Sequence, residues 1–441
     1  MKNVKENIYQ NKYQVPDGNR NSMVNFGFKG WFIIFYCMAI FFFYVGMVND
    51  GSNITSPAVA AKLGVNNGVV MSMNSLAGII GILFFIAIGK INTKFGSRKT
   101  SGVLLIISGL SYIVIGRVNS LLVYTISMSF VVGTIMSAGY ISGGNLVAQW
   151  FPKKKGIVMG YTTMGLNLAS AFYVPLIAFL LGNFGLEVGI IPIGLGVIFL
   201  GIIGFIYVRD TPQEYGLNPD NVADFVYKNE YDLEDPKESD RWTTKSLLKT
   251  KELWMAAFAT GIFQICSVGV MSQLVLRNME LGFEQNQAIL IMTVLALVGV
   301  GGSWLIGLFD QKLGTKRTMI GFALWYALAL FCNYTNISYL IYLSLFMIAI
   351  GIGGSANFMT SLPAAIYGRH GFAKVNSVIF PIQGAITAMC FLINGVVQIF
   401  TGGEIRNAYL AFAILALLNI LIIKGIDEHK YNRDFKVEEN L

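Results

Sequence analysis

Hydrophobic and polar positions along this chain do not alternate with the period of two that marks a half-buried strand; they gather into long apolar runs separated by short polar stretches. The runs cover roughly 31–48, 69–88, 100–118, 121–148, 157–182, 188–208, 253–276, 288–309, 318–336, 338–360, 375–401 and 408–423. About 20 apolar residues carry a helix across a bilayer, and a backbone in hydrocarbon must satisfy its own polar groups, so each run predicts a spanning helix. The pattern therefore predicts an all-α polytopic membrane protein with twelve transmembrane helices, the third and ninth runs being the weakest.

One long polar stretch, 209–252, divides the runs six and six. The expected layout is a tail over 1–29, a six-helix bundle over 30–208, a central loop over 209–252, a second six-helix bundle over 253–424 and a tail over 425–441. The halves repeat. At an offset of 218, Leu63-Gly64 falls on Leu281-Gly282, Gly81 on Gly299, and Tyr124, Gly133, Ser137 and Ala138 on Tyr342, Gly351, Ser355 and Ala356. One inserted residue later, Lys155, Gly165 and Ala169 land on Lys374, Gly384 and Ala388. Chance composition does not hold one register across four helices, so the bundles are expected to be pseudo-symmetric copies.

Composition sharpens this picture. The chain is 54% hydrophobic and 13% charged, against about 25% charged in an average soluble domain, which excludes a water-soluble globule. The net charge of +8 raises the question of nucleic acid, but its placement answers otherwise. Of 32 Lys and Arg residues, 28 fall in loops and tails on one side of the twelve-span topology; Lys62, Arg117, Arg277 and Arg406 alone fall on the other. The positive-inside rule then expects both termini in the cytoplasm of a multi-pass cell-membrane protein, with lipid and a small molecule as partners and no nucleic acid. Cys37, Cys266, Cys332 and Cys390 sit singly in different runs, and His370 and His429 sit in loop and tail, so neither a metal site nor a cofactor is expected. Without a clustered nucleophile or acid/base pair in any span, enzyme chemistry is not expected either. The first apolar run is followed by no small-residue cleavage site and is expected to be retained.

The loop GKINTKFGSRK after the second run and its copy GLFDQKLGTKR after the eighth resemble the loops between helices two and three, and eight and nine, of major facilitator superfamily transporters. Within that superfamily, QWFPKKKGIVMGY, RDTPQEYGLNPDN and YGRHGFAKVNS resemble the oxalate/formate antiporter family and its monocarboxylate-carrying relatives. The resemblance implies two six-helix bundles around a central cavity open alternately to each side, with gating by Lys94, Arg98, Asp310, Lys312, Lys316 and Arg317 of the paired loops; a monomer is expected. The first loop departs from the superfamily pattern: Asn92 and Thr93 stand where a carboxylate is usual, while the second keeps Asp310. A Gly-Pro pair followed by paired glycines, the fifth-helix signature of drug antiporters, is absent from GYTTMGLNLASAFYVP.

One stretch, GMVNDGSNITSP at 46–57, is conspicuously polar within its apolar surroundings. On a regular helix Gly46, Asn49, Asp50, Asn53 and Pro57 share one stripe. A charge at the bilayer centre costs at least about 2.5 kcal/mol and normally faces a cavity or a partner, so this stripe is expected to line the cavity; the plain alternative is an exterior cap and turn at Asp50-Gly51. The resemblance implies that helices one, four, seven and ten line the cavity. That adds Tyr140, Asn145, Gln264, Gln273 and Asn357 as candidate substrate-binding residues, with Asn74, Asn167 and Gln383 from other spans, each also able to act as glue between helices.

The resemblance implies an Arg in the eighth helix and a Lys in the eleventh for oxalate-carrying relatives, and neither run here contains a charge. A dicarboxylate would lack counter-ions, leaving Arg277 as the one basic candidate, which is otherwise read as an interface residue with its head in the polar layer. Asp50 is the expected proton-coupling group, since a poorly hydrated carboxyl can change charge within a cycle. The resulting expectation is secondary active transport of a small monocarboxylate-like acid, by proton coupling or exchange. The alternative is a multidrug exporter, suggested by 32 Phe and 18 Met.

Overall fold

The structure is a computed structural model that describes residues 25–224, 227, 242–368 and 372–432. The whole charged run at 228–241, and His370, lie outside the described residues. Twelve principal helices follow in order among the described residues. α1 comprises Gly27–Tyr44, a π-helical turn Val45–Asp50 and Ser52–Leu63. α2 is Asn67–Phe95 and α3 is Ser97–Ile115. α4 comprises Leu121–Ser137, a π turn Ala138–Gly143 and Gly144–Trp150. α5 comprises Lys155–Leu168, a π turn Ala169–Tyr173 and Val174–Gly189. α6 is Ile191–Tyr207. α7 is Lys251–Met271 continued by Leu274–Glu280, α8 is Gln285–Leu313 and α9 is Thr315–Tyr334. α10 is Ser338–Ser355 with Phe358–Tyr367, α11 is Phe372–Phe400 and α12 is Arg406–Lys424.

Ten of these are long and apolar enough to cross a membrane by length and composition. The two that fall short explain themselves. α6 has only 17 residues and lies along α3. α9 has 20 but is polar at both ends and lies between α10 and α12, where Asn333 is fully buried. The weak third run, by contrast, is a 19-residue helix that meets the measure. The polarity is inside out relative to a soluble protein. Asp50, Asn53, Gln273, Arg277 and Asn394 are buried, while Phe28, Leu122, Trp304 and Leu421 face outward, where hydrocarbon solvates them.

The contacts repeat as the sequence does. α1 packs on α5 as α7 packs on α11, α2 on α4 as α8 on α10, and α3 on α6 as α9 on α12. Across the halves, α2 meets α11 and α5 meets α8, which is one contact seen twice under a pseudo-twofold axis. The paired loops show the repeat atom by atom. Gly96 and Gly314, 218 apart, turn the chain with φ of 82° and 83°, a region that disfavours any Cβ. Behind each, a carboxylate accepts from the backbone N–H at the start of the next helix: Arg98 N–H to Asp210 at 2.7 Å, and Lys316 N–H to Glu428 at 2.7 Å. Asp210 and Glu428 are themselves 218 apart, and an anion at a helix N-terminus satisfies an orphan donor and the helix dipole together. The adjoining cation closes each clamp onto the end of α6 or α12, Arg98 through the Phe205 carbonyl and Lys316 through the Ile426 carbonyl at 2.7 Å.

Asp210→Ala and Glu428→Ala are each expected to destabilise the protein by about 1 kcal/mol, as lost helix caps do. Because the clamps lie in different halves, the double variant should lose the sum. Thermal unfolding of all three purified variants in detergent checks both the size and the additivity.

Candidate functional site

Between the halves lies a cavity of about 220 Å³. Three π turns shape its N-terminal wall. In α1 the Gly51 N–H donates to the Gly46 carbonyl at 2.9 Å, one residue further back than in an α-helix. A Cβ on Gly46 would stand 2.4 Å from the Tyr173 ring, and one on Gly51 would stand 2.1 Å from the Gly46 oxygen, so both positions need glycine. Tyr173 belongs to the π turn of α5; its hydroxyl is 2.7 Å from that of Tyr112. The widened turn brings Asn49 and Asp50 to the cavity wall. The Asp50 carboxylate accepts from the Ser170 hydroxyl, and with 4% of its surface exposed it is neither an exterior cap nor a turn residue.

Tyr140 stands on the π turn of α4, its ring 5.1 Å from Phe41, 5.9 Å from Tyr44 and, across the halves, 6.0 Å from Phe380. Asn167 of α5 lines the cavity and makes no hydrogen bond among the described residues. The C-terminal wall holds Gln264, whose amide lies 3.4 Å from Ser355, and Asn357, which exchanges hydrogen bonds with Ser303 of α8 at 2.8 and 2.9 Å. Thus Asn49, Asp50, Tyr140, Asn167, Gln264 and Asn357 come together, with Asn74 beside them, and no Lys, Arg or His lines the cavity among the described residues.

The other candidates stand elsewhere. Asn145 donates to Ser97 at 2.9 Å, and Asn92 accepts from Ser142 while donating to Ser97, so a neutral amide cluster ties α2, α3 and α4 where the superfamily loop usually has an acid. Gln383 donates to Thr260 at 2.6 Å and joins α11 to α7. Gln273 is buried at the break in α7, with no hydrogen-bond partner for its amide among the described residues. Arg277 is neither an interface residue nor a cavity residue: it is fully buried, donating to Asn333, Asn336 and Glu280 and lying 5.7 Å from the Tyr409 ring. Asn53 reaches across the halves. Its amide donates to the Met271 carbonyl at 2.6 Å and accepts from the Val275 N–H at 2.9 Å, while Ser52 donates to the Ser272 carbonyl at 3.1 Å.

These contacts lie on the side remote from loops 96, 210 and 314, here called the distal side. Asn67 with Gln398, and Thr293 with the Ala171 carbonyl, also join the halves by hydrogen bonds there or at cavity depth. On the opposite, terminal side, no hydrogen bond or ion pair joins the halves among the described residues, and Lys94, Lys312 and Arg317 are exposed. Arg98 and Lys316 stay within their own halves, and the buried oxygen of Asp310 has no partner among the described residues. The geometry is that of a two-bundle helical carrier whose halves are tied by hydrogen bonds on the distal side and at cavity depth.

The chain belongs to the Major Facilitator Superfamily, whose model matches residues 31–388. It is a multi-pass membrane transporter and not an enzyme. Among curated relatives it is 22% identical over 301 residues to an uncharacterized MFS-type transporter, YhjX, of Escherichia coli (strain K12), covering 66% of this chain and 70% of that one. It is 24% identical over 220 residues to a probable hexose phosphate transport protein of Chlamydia pneumoniae, covering 49% and 48%. Among solved structures the fold is shared with the D-xylose-proton symporter, at a TM-score of 0.69 and 14% identity over 92% of this chain and 99% of that one. It is also shared with a bacterial homologue of the human lysosomal transporter Spinster in an inward-facing, occupied conformation, at 0.66 and 14% over 89% and 96%.

Asn53→Ala removes both amide bonds to α7, a loss on the order of 1–3 kcal/mol from the distally closed state. Spin labels at Asn119→Cys and Asn286→Cys, exposed positions on the distal side of the two halves, read the outcome against four buried native cysteines. The distance between labels is expected to lengthen in the Asn53→Ala background.

Proposed function

We propose that this transporter carries a small polar solute bearing at most one negative charge, with a small monocarboxylate as the first candidate, by alternating access coupled to a proton held on Asp50. One observation carries the reading: a small cavity between the halves, its mostly apolar wall interrupted by amides and hydroxyls, that contains one carboxyl and no cation among the described residues. A solute with two negative charges has nothing to neutralise it there, which argues against a dicarboxylate. The same argument counts against a phosphate ester such as the chlamydial relative's name suggests, since a phosphate monoester carries about −1.5 to −2 charges at neutral pH. A singly charged acid is tolerated if Asp50 is protonated when it enters, so that solute and site share one negative charge. Proton and substrate binding are then linked.

The volume of about 220 Å³ lies below the roughly 300–1,000 Å³ of sites for drug-sized ligands, which argues against a multidrug exporter. A neutral sugar or polyol is the second reading. It is favoured by the hydrogen-bonding amide of Asn167 and the hydroxyl of Tyr140, groups that suit hydroxyl partners, and by the likeness of fold to a xylose symporter. The bias of 28 of 32 cations to one side supports cytoplasmic termini, and residues of both halves of a single chain line the cavity, which supports a monomeric carrier.

Purified protein in liposomes, screened with radiolabelled monocarboxylates, pentoses and hexoses under an imposed pH gradient, tests the proposal. Asp50→Asn should lower pH-driven uptake at least tenfold while sparing counterflow exchange; unaltered pH-driven uptake rejects the coupling role. Asn167→Ala is expected to raise the KM for the transported solute by about five- to tenfold, the scale of one lost hydrogen bond, with folding judged by melting temperature.

A further inference from the structure

Away from the central cavity, the N-terminal half carries a second hollow of about 480 Å³ in its outer wall between α2, α3 and α4, near the terminal side. Its floor is made by the buried Ile88, Thr100, Leu104 and Thr134. Its rim is made by Ile91, Phe95, Val103 and Phe130, all exposed to the surrounding hydrocarbon. Two lysines stand at its terminal-side end. Lys99 lines the hollow, and Lys94 lies 5.3 Å over the ring of Phe95; both are exposed, and neither forms an ion pair among the described residues.

Thr100 adds an independent sign of a ligand. Its side chain lines the hollow, and its hydroxyl, buried beneath that apolar wall, has no hydrogen-bond partner among the described residues. A helical threonine ordinarily donates to the carbonyl four residues back, as its pseudo-symmetric counterpart Thr318 does to Gly314 at 2.9 Å. The hollow is not dictated by the fold. In the C-terminal half the positions of Leu104 and Ile107 are taken by Phe322 and Trp325, and the Trp325 indole is tied to the Met347 carbonyl at 3.1 Å.

We propose that this hollow binds a phospholipid with an anionic headgroup from the terminal-side leaflet. An acyl chain lies along Ile88, Leu104 and Phe130, the headgroup phosphate sits between Lys94 and Lys99, and the Thr100 hydroxyl donates to a glycerol-ester oxygen. The occupant follows from the setting. The hollow opens into a bilayer, its walls are apolar over the depth of the acyl region, and its two cations lie at the polar margin, where each adds about fivefold to the binding of an anionic lipid. The proposal is independent of the transported solute.

The test uses the full chain, delipidated in mild detergent and titrated with phosphatidylglycerol or phosphatidylcholine, with bound lipid counted by native mass spectrometry. One phosphatidylglycerol should be held in preference to phosphatidylcholine. Lys94→Ala and Lys99→Ala should each lower its occupancy about fivefold, Thr100→Val should weaken both lipids, and Lys312→Ala with Arg317→Ala, at the pseudo-symmetric positions, should change neither. Equal binding of the two lipids overturns the proposal, as does phosphatidylglycerol binding that survives both lysine substitutions or falls equally in the C-terminal pair. Melting temperatures of all variants establish that each is folded.

Discussion

An amide wedged into a helix holds this molecule in its observed state. In an unbroken α7 the Met271 carbonyl would pair with the Val275 N–H; instead the Asn53 side chain of α1 stands between them and bonds to both. A side chain inserted into the ladder of a helix is a recognised cause of a break, and here the inserted group comes from the other half of the protein. In a bilayer, where apolar surfaces gain little by meeting, such bonds and close backbone contacts decide which helices associate. Closure on the distal side therefore joins these polar bonds to the close approach of α2 and α11, where a Cβ on Gly68 would stand 2.7 Å from the Gly395 carbonyl oxygen, and no hydrogen bond joins the halves on the terminal side among the described residues.

The architecture was legible because bilayer thickness leaves a blunt mark on a sequence, and because the duplication kept its register. The offset that aligns the two loops also aligns Asp210 with Glu428, although nothing in the primary structure announced that these acids cap α3 and α9. The site was legible in part. Asn49 and Asp50 reach the cavity and Asn53 does not, because the stripe assumes 3.6 residues per turn and the π turn inserts an extra residue between Gly46 and Gly51. Arg277 escaped for another reason. Its partners Asn333, in the last turn of α9, and Asn336, in the turn that follows, lie far along the chain, so its burial depends on a packing of helices that no local window contains. Gln383, Asn145 and Asn92 have the residue types of a binding site yet serve as ties between helices, a choice that composition cannot reveal.

The halves are copies in backbone and not in chemistry. The position of Asp50 is Val268 in the second half, and that of Asp310 is Asn92 in the first. Each acid thus appears once: in the first copy at the cavity, in the second at the loop. The duplicated frame supplies two-sided access, and divergence of a few side chains supplies a single chemical centre. Arg277, with Asn333, Asn336 and Glu280 around it, ties the distal end of the second half together at the point where α7 resumes after its break.

All three π turns among the described residues lie in the first half, on α1, α4 and α5, and residues from each line the cavity. One surplus residue in a turn rotates everything beyond it by about 100°, the angle per residue of a helix. The two walls are therefore built differently: the first half presents Asn49, Asp50, Tyr140 and Ser170 from widened turns, each turn setting the direction of the groups beyond it, while the second half presents Gln264 and Ser355 from helices without such a turn among the described residues.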